Sequence, residues 1–534
     1  MRNLIRCSLA MLLLFTFHAV SVNSALAWQA SDEEGFKSIF DGKTLDGWQG
    51  DAKLWRVENG AIVGETTDSV KVDRNKFLYW HQGEVDDFAL RLKFKISGTD
   101  RANSGVQIRS TVDDDGHMAG YQADIERGGK YCGILYSEKT GRGILCQRGQ
   151  KVVQRGKKDK DVQQVSDAGE LFKKVDIDDW NDMEIVAKGN HITVAINGNV
   201  TADFTDEDKE LFVDRGRIGL QLHVGPPMKI EFKDIRLKRL PLAKEKKVVF
   251  VAGTKSHGWG AHEHNAGCLL LAQCLEQAYM DQGVPIHSTV YRNGWPSDPT
   301  AFDNADTIVA FCDGGGRHFL HRNGESFEDV MRRGVGLVCI HYGVEVPKGP
   351  SGQRFLEWIG GYFETDWSVN PTWTAKFEAI PEHAVTQGVE PFELQDEWYY
   401  HMRFADQAGR VTTLLSTLPP ESTLSRKDGP HSNNPHVRRS VLEEKKPQAV
   451  SWAYERRDGK GRGFGFTGAH YHRNWGNDSF RTLVLNAILW TAHIDVPEGG
   501  VKSATPTGAD LDANQDFPKP NKSGEKQRKK SKRK

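Results

Sequence analysis

The chain is 534 residues long, with 71 Lys and Arg against 72 Asp and Glu and a formal net charge of −1. That length exceeds one ordinary domain and predicts two. The near balance hides a strongly basic end, KPNKSGEKQRKKSKRK, which leaves the rest at roughly −10 and excludes the folded body as a nucleic-acid binder. At the start, Arg2 and Arg6 flank the apolar stretch LAMLLLFTFHAV, and Ala25-Leu26-Ala27 gives a small-x-small exit. This is the grammar of a secretory signal peptide over residues 1–27, so a secreted or periplasmic protein is expected. No later stretch approaches the length of an integral membrane segment. Six cysteines lie beyond the leader, too few for a disulfide scaffold of this size. Cys132 and Cys146 sit at near-mirror positions around KTGRG, placed for a cross-strand bridge. Cys312 and Cys339 fall inside apolar runs, as small hydrophobes do.

From about 34 to 240 the pattern is that of β-structure. DFALRLKFKI alternates Phe88, Leu90, Leu92, Phe94 and Ile96 with Arg91, Lys93 and Lys95, a period of two. Asn197-Gly198 marks a tight hairpin turn. Many short strands with turns between them predict an all-β sandwich. Several strands carry an unusually polar second face: Gln107 and Arg109; Gln122, Asp124 and Glu126; Gln221 and His223. Amides, a guanidinium and carboxylates suit sugar hydroxyls, with Trp55, Trp80 and Tyr136 as stacking surfaces. A solvated outer face gives the same pattern. Asp124 and Glu126, about 7 Å apart on one strand face, also fit a glycosidase pair.

The blocks IFDGKTLDGW, WRVENGAIVGE, NSGVQIRS, AGYQADI, WNDMEIVAKGNHITVAING and RGRIGLQLH resemble, in order, the 3-keto-disaccharide hydrolase family. The resemblance implies a concanavalin-like jelly-roll sandwich over 34–240 and cleavage of glycosides oxidised at C3. The family's polar positions correspond to Glu65, Asn103, Arg109, Gln122, Asp124 and His223.

After the charged linker LPLAKEKK, apolar runs alternate with helical patterns over 246–495, predicting an α/β domain with a doubly wound sheet. KVVFVAG leads to His257, His262 and His264. TIVAFC ends at Asp313, GLVCI at His341, and GFGFTGA at His470 and His472. In a parallel sheet these strand ends share one edge, where open α/β folds place ligands. Glu397 and His401, four residues apart in DEWYYH, would face one way on a helix. The 419–440 loop is long and polar, as lids are. Residues 496–534 read as a disordered basic tail, either simply solvated or in contact with anionic polymer.

GVGLVCIHYG, FLEWIGGYFE, DEWYYHMRF and GKGRGFGFTGAHYHRNW resemble the trehalose-utilisation (ThuA-like) family, which has the class I glutamine-amidotransferase-like fold. Where the amidotransferases carry a nucleophilic cysteine, this sequence has His341, so glutamine hydrolysis is not expected. Imidazoles with carboxylates suggest a divalent metal, zinc or manganese, on His262, His264, His470 and His472. No strict zinc signature is present, and sugar-binding or loop-capping histidines are the alternative. No nucleotide cofactor is expected. The expected chemistry is abstraction of the C2 proton next to a C3 ketone, then elimination and hydration. Asp124 is the candidate base, with Arg109 and His223 polarising. His341 and Glu397 are candidate proton carriers in the second domain. Glu65, Asn103, Gln122, Glu126, Tyr136, Gln221, Asp313 and His401 are candidates for holding carbohydrate. The alternatives are a retaining glycosidase on unoxidised sugar, and a carbohydrate-binding jelly roll tethering the second domain.

Overall fold

The structure is a computed structural model that describes residues 34–405 and 410–520. The expected leader and the most basic residues of the C-terminal end lie outside that range.

Period-two patterning builds the first domain. In the strand Phe88–Gly98, Phe88, Leu90, Leu92, Phe94 and Ile96 are buried, while Arg91, Lys93 and Lys95 pair with Glu184, Asp182 and Asp179. Each such apolar side chain contributes about 1.5–3 kcal/mol on burial. Among the described residues one sheet has ten strands, with Asn181–Lys188, Phe88–Gly98 and Met228–Arg239 adjacent at its middle. The other has seven and runs Gly143–Cys146, Leu135–Glu138, Met118–Glu126, Asn103–Val112, Arg217–Leu222, Lys76–Trp80, Trp48–Gln49. The two enclose one apolar core, an all-β sandwich. Asn197 (φ +49°) and Gly198 (φ +73°) form the expected two-residue turn, whose positive φ values match the twist of the flanking strands. Trp55 and Trp80 are core residues rather than stacking platforms, at 2% and 0% exposure. Cys132 and Cys146 are buried free thiols, so the expected bridge is absent.

The second domain holds a seven-stranded mixed sheet. Ile286–Tyr291, Lys246–Ala252, Thr307–Phe311, Gly336–Ile340 and Arg462–Phe466 lie parallel, and Gln448–Glu455 and Val411–Thr417 complete it antiparallel. Strand residues of alternate phase feed two cores. Val248 and Phe250 pack with the helices His264–Gln282 and Asp478–Thr491. Val249 and Val251 pack with Gly324–Arg332 and Pro350–Trp358. This explains why the runs are continuously apolar. Strand–helix alternation is not regular, because residues 361–424 run through short strands and turns with few helices.

Two expectations about loops change. The 419–440 segment contains Glu421–Leu424 and Pro435–Arg438, whose Leu424 and Val437 are buried in the domain's core. The tail expected to be disordered from 496 is described as far as Pro520 and contains the helix Gly508–Asp512. Among the described residues, no helix is long and apolar enough to cross a membrane.

Candidate functional site

Two polar clusters stand out, one in each domain. In the first, neighbouring strands of the seven-stranded sheet set Gln107 opposite Gln122, and Gly105 opposite Asp124. The core takes the other phase, Val106, Ile108, Tyr121, Ala123 and Ile125. Gln107 and Gln221 both donate to Gln122 Oε1, at 2.6 and 2.9 Å. Gln122 and Asn103 each donate to Asp124 Oδ1 at 3.3 Å. The layer is buried, with Asp124 only 6% exposed. Burial disfavours its charged form more than the two amides favour it, pushing the Asp124 carboxyl up to about 8. Glu126 accepts the Tyr131 backbone N–H at 2.8 Å. Tyr136, partly buried, comes from the next strand, opposite Gln122. His223 follows the strand Arg217–Leu222, and its Nδ1–H donates to the Val224 carbonyl at 2.6 Å, leaving Nε2 for a ligand.

Arg109 does not join this layer. A bulge between Ile108 and Thr111, with Arg109 at φ +45°, turns its side chain away from the phase of Gln107. Its guanidinium is fully buried and donates to the carbonyls of Asp86 (2.8 Å) and Gly189 (2.6 Å) and to Asp87 Oδ1 (2.8 Å). It is a structural group, and the polarising role expected for it is withdrawn. Glu65 lies on the other sheet, ion-paired to Arg56 at 2.7 Å.

In the second domain the strand ends do converge. His341 follows Gly336–Ile340 and His262 precedes the helix His264–Gln282. Both have positive φ, +53° and +51°, a strain that persists only where surrounding structure holds it. The His341 Nδ1–H donates to the Thr467 carbonyl at 2.9 Å, and His262 Nδ1 lies 3.2 Å from Asp313 Oδ1. The two Nε2 atoms are 3.1 Å apart. His470 Nδ1 is 3.0 Å from His262 Nε2 and 3.2 Å from Glu397 Oε2, which is 3.7 Å from His341 Nε2. Burial holds His262 down to about 4 and, with its imidazole neighbours, His341 well below the usual range, so both rings are neutral. Burial works to raise Asp313, but hydrogen bonds from His262 and Ser256 outweigh it and hold the carboxylate down to about 2. His257 stacks on His262 with ring centroids 3.6 Å apart.

Other expected members fall outside the cluster. His264 Nδ1–H donates to the Thr254 carbonyl at 3.1 Å, and its Nε2 lies 3.8 Å from Asp313, at the margin. His472 is buried near Asp512, and neither ring nitrogen has a hydrogen-bond partner among the described residues. Glu397 and His401 do not share a helix: the segment is irregular, and His401 packs against Trp367, its Nδ1–H on the Trp367 carbonyl. Cys339 is fully buried, and burial pushes its thiol up, so no thiol is available at this turn.

Three participants were missed by sequence reasoning. Asp396 accepts from the backbone N–H groups of Ala469 (2.7 Å) and His470 (3.1 Å) and from Asn474 Nδ2 (2.9 Å), clamping the loop that carries His470. Tyr399 OH lies 3.3 Å from His341 Nε2. His431, from the 419–440 loop, meets Glu345 Oε1 at 3.0 Å. The acidic pair opening the aromatic run DEWYY was the one sequence signal for Asp396 and Tyr399.

Residues 35–238 match the family model described as a 3-keto-alpha-glucoside-1,2-lyase-like domain, and residues 247–491 the one described as Trehalose utilisation. The chain is a fusion of these two families. Among solved structures, the lyase-like domain is similar to a carbohydrate-binding module from Bacillus subtilis: 14% identity, 36% of this chain and 95% of that one, TM-score 0.26. It is also similar to a putative glycosyl hydrolase from Parabacteroides distasonis: 22% identity, 38% and 99% coverage, TM-score 0.25. The trehalose-utilisation domain is similar to a putative ThuA-like protein from Bacteroides uniformis: 17% identity, 46% and 91% coverage, TM-score 0.31. No curated protein matches the chain.

Proposed function

We propose that the protein is an exported carbohydrate-processing enzyme whose lyase-like domain cleaves glycosides bearing a ketone at C3. The observation that carries this reading is Asp124, a buried carboxyl near 8 set among amides that can hold sugar hydroxyls. A base tuned close to working pH suits abstraction of a weakly acidic C–H. The ketone acidifies the C2 proton. Asp124 takes that proton, and the electron pair moves into a C2–C3 enolate. Collapse of the enolate restores the ketone, forms the C1–C2 double bond and breaks the bond from C1 to the leaving oxygen. That oxygen takes a proton from the Asp124 acid or from water. Addition of water across C1–C2 then completes a net hydrolysis. His223 is the candidate acid or polarising group, now without Arg109. The matched family's description as 1,2-lyase-like supports elimination over direct displacement.

The trehalose-utilisation domain supplies a second cleft, lined by His341 and Glu397. Its convergent imidazoles and carboxylate are the place for a divalent cation, zinc or manganese. The leader exports the chain.

The test uses the full chain on a 3-keto-glucoside and on the same glycoside unoxidised. Cleavage of the ketone alone, reduced about 100-fold or more by Asp124→Asn, is expected. Cleavage of the unoxidised sugar would install the glycosidase reading with Asp124 and Glu126. Binding of both without turnover would reduce the sandwich to a carbohydrate-binding module.

A further inference from the structure

We infer that the second cleft is a mononuclear site for a zinc-like first-row transition metal, bound by His262 Nε2, His341 Nε2, His470 Nδ1 and Glu397 Oε2. In this site Asp313 and the Thr467 carbonyl orient the imidazoles without touching the ion. The inference deepens the reading of this cleft as a cation site and rests on it; it does not depend on the chemistry assigned to Asp124.

The tautomers carry the argument. A carbonyl oxygen only accepts, so the His341 proton sits on Nδ1, facing Thr467. Asp313 is acceptor-only as a carboxylate and already receives the Ser256 hydroxyl, so the His262 proton also sits on Nδ1. Both Nε2 atoms therefore present lone pairs, and they face one another at 3.1 Å. Neither can bond the other. A proton from His470 Nδ1 answers the His262 lone pair and the Tyr399 hydroxyl, 3.3 Å away, reaches the one on His341, whereas a single cation answers both together with Glu397.

The spacing agrees. Around the ring His470–His262–His341–Glu397 the donor atoms are 3.0, 3.1, 3.7 and 3.2 Å apart, and all four lie within 4.8 Å of one another. Bonds of about 2.0–2.2 Å at ordinary coordination angles place neighbouring donors about 2.9–3.5 Å apart. Three imidazoles and one carboxylate favour a borderline cation over magnesium or calcium, which take oxygen ligands. Donation of a ligand histidine's far N–H to a carboxylate or a carbonyl is how metal sites fix ring orientation. Here both are present.

A second ion fits less well. His257, His262 and Asp313 also converge. To bind there, however, His262 would have to surrender the Nδ1 proton that Asp313 holds. One ion per chain follows. His264 and His472, whose ring nitrogens lie outside the four-atom ring, are not ligands.

The test uses purified full-length chain stripped with a chelator, then given Zn2+, Mn2+ or Mg2+ alone, with elemental analysis and melting as readouts. Expected are one equivalent of Zn2+ and a rise in Tm of about 5 °C or more, with no response to Mg2+. His470→Ala and Glu397→Gln alter partly exposed groups that should leave the fold intact; each should abolish the Zn2+-induced rise. His472→Ala should retain both the equivalent and the rise. Asp313→Asn should retain the equivalent but weaken Zn2+ binding about 10–100-fold in a chelator competition. Absorption bands of bound Co2+ should be lost in His470→Ala. If the stripped wild type takes up no cation and its melting is unmoved, both the cation reading and this inference fall, leaving histidines that share a proton. Two equivalents, preference for Mg2+, or full binding by Glu397→Gln and His470→Ala would overturn this inference and leave a cation site with other ligands.

Discussion

Asp124 and Arg109 lie on adjacent strands, and burial disfavours the charged form of both; what differs is the partners each finds. Arg109 is surrounded by acceptors, so its charge is answered and its role is structural. Asp124 meets only two long amide contacts, so its charge is poorly answered and its carboxyl rises to about 8. Two consequences follow. In the proposed reaction the active form is the carboxylate, so kcat/KM for a 3-keto-glucoside should climb with pH to a limb near 8, and a profile flat from pH 6 to 9 would remove Asp124 as the base. For stability the sign is reversed. A carboxyl raised in the folded state contributes stability that is full below the unfolded value near 4 and is lost as pH rises through 8. Asp124→Asn should therefore be more stable than wild type above pH 8, by on the order of 2–4 kcal/mol in urea melts, with the gain shrinking towards pH 4. The polar layer itself was legible, because Gln107, Gln122, Asp124 and Gln221 keep a strict two-residue phase against the apolar core. The fate of Arg109 was not: the bulged residues are not glycines, and the glycines that make room for them, Gly120 and Gly216, lie on other segments of the chain.

Among elements, the strand ends of the second domain were readable, because each continuous apolar run stops at a histidine or aspartate. Which of those side chains turn inward was not, since loop conformation decides it. One determinant lies more than 250 residues away in sequence. The Gly260 N–H is shared between Glu263 Oε1 and Gln515 Oε1, both at 2.9 Å. Asp516 N–H donates to Glu263 Oε2 at 2.8 Å, and Asn265 Nδ2 donates to Asp516 Oδ1 at 2.8 Å. The segment after residue 500 thus ties down the loop that presents His257 and His262. Its polar, proline-containing sequence looked disordered because its bonding partners, the Gly260 N–H and the side chains of Glu263 and Asn265, belong to a distant element. Ending the chain at Gly500 should leave the sheet folded but lower Zn2+ affinity about tenfold or more, read by chelator competition. Unchanged affinity would show that the loop holds itself.

The whole molecule is joined by buried charge. Arg239 of the lyase-like domain donates to Asp298 Oδ2 at 2.7 Å and Thr300 Oγ1 at 2.9 Å, and Tyr291 donates to the same Asp298 oxygen at 2.6 Å. Asp86 receives Lys247 Nζ from across the junction and Asn304 Nδ2 at 3.2 Å. Burial would raise Asp86, but Lys247 and Arg239 outweigh it and hold the carboxyl below its usual range. Its contribution is present above the unfolded value near 4 and is lost as pH falls below it. Removing the acid by Asp86→Ala strands the buried Lys247 ammonium, while Arg239 keeps Asp298, and should cost about 3–5 kcal/mol in a calorimetric melt at pH 7. A loss under 1 kcal/mol would mean that the junction is looser than this network implies. The sequence showed two domains and a charged linker, but not this pairing, since it joins residues 161 positions apart.

The central claim is that cleavage begins with loss of the C2 proton to Asp124, and proton NMR in D2O on a 3-keto-glucoside tests it most directly. The account predicts that wild-type chain releases the leaving group with deuterium entering at C2, and that Asp124→Asn loses both together. Release of the leaving group with the C2 proton fully retained would contradict it.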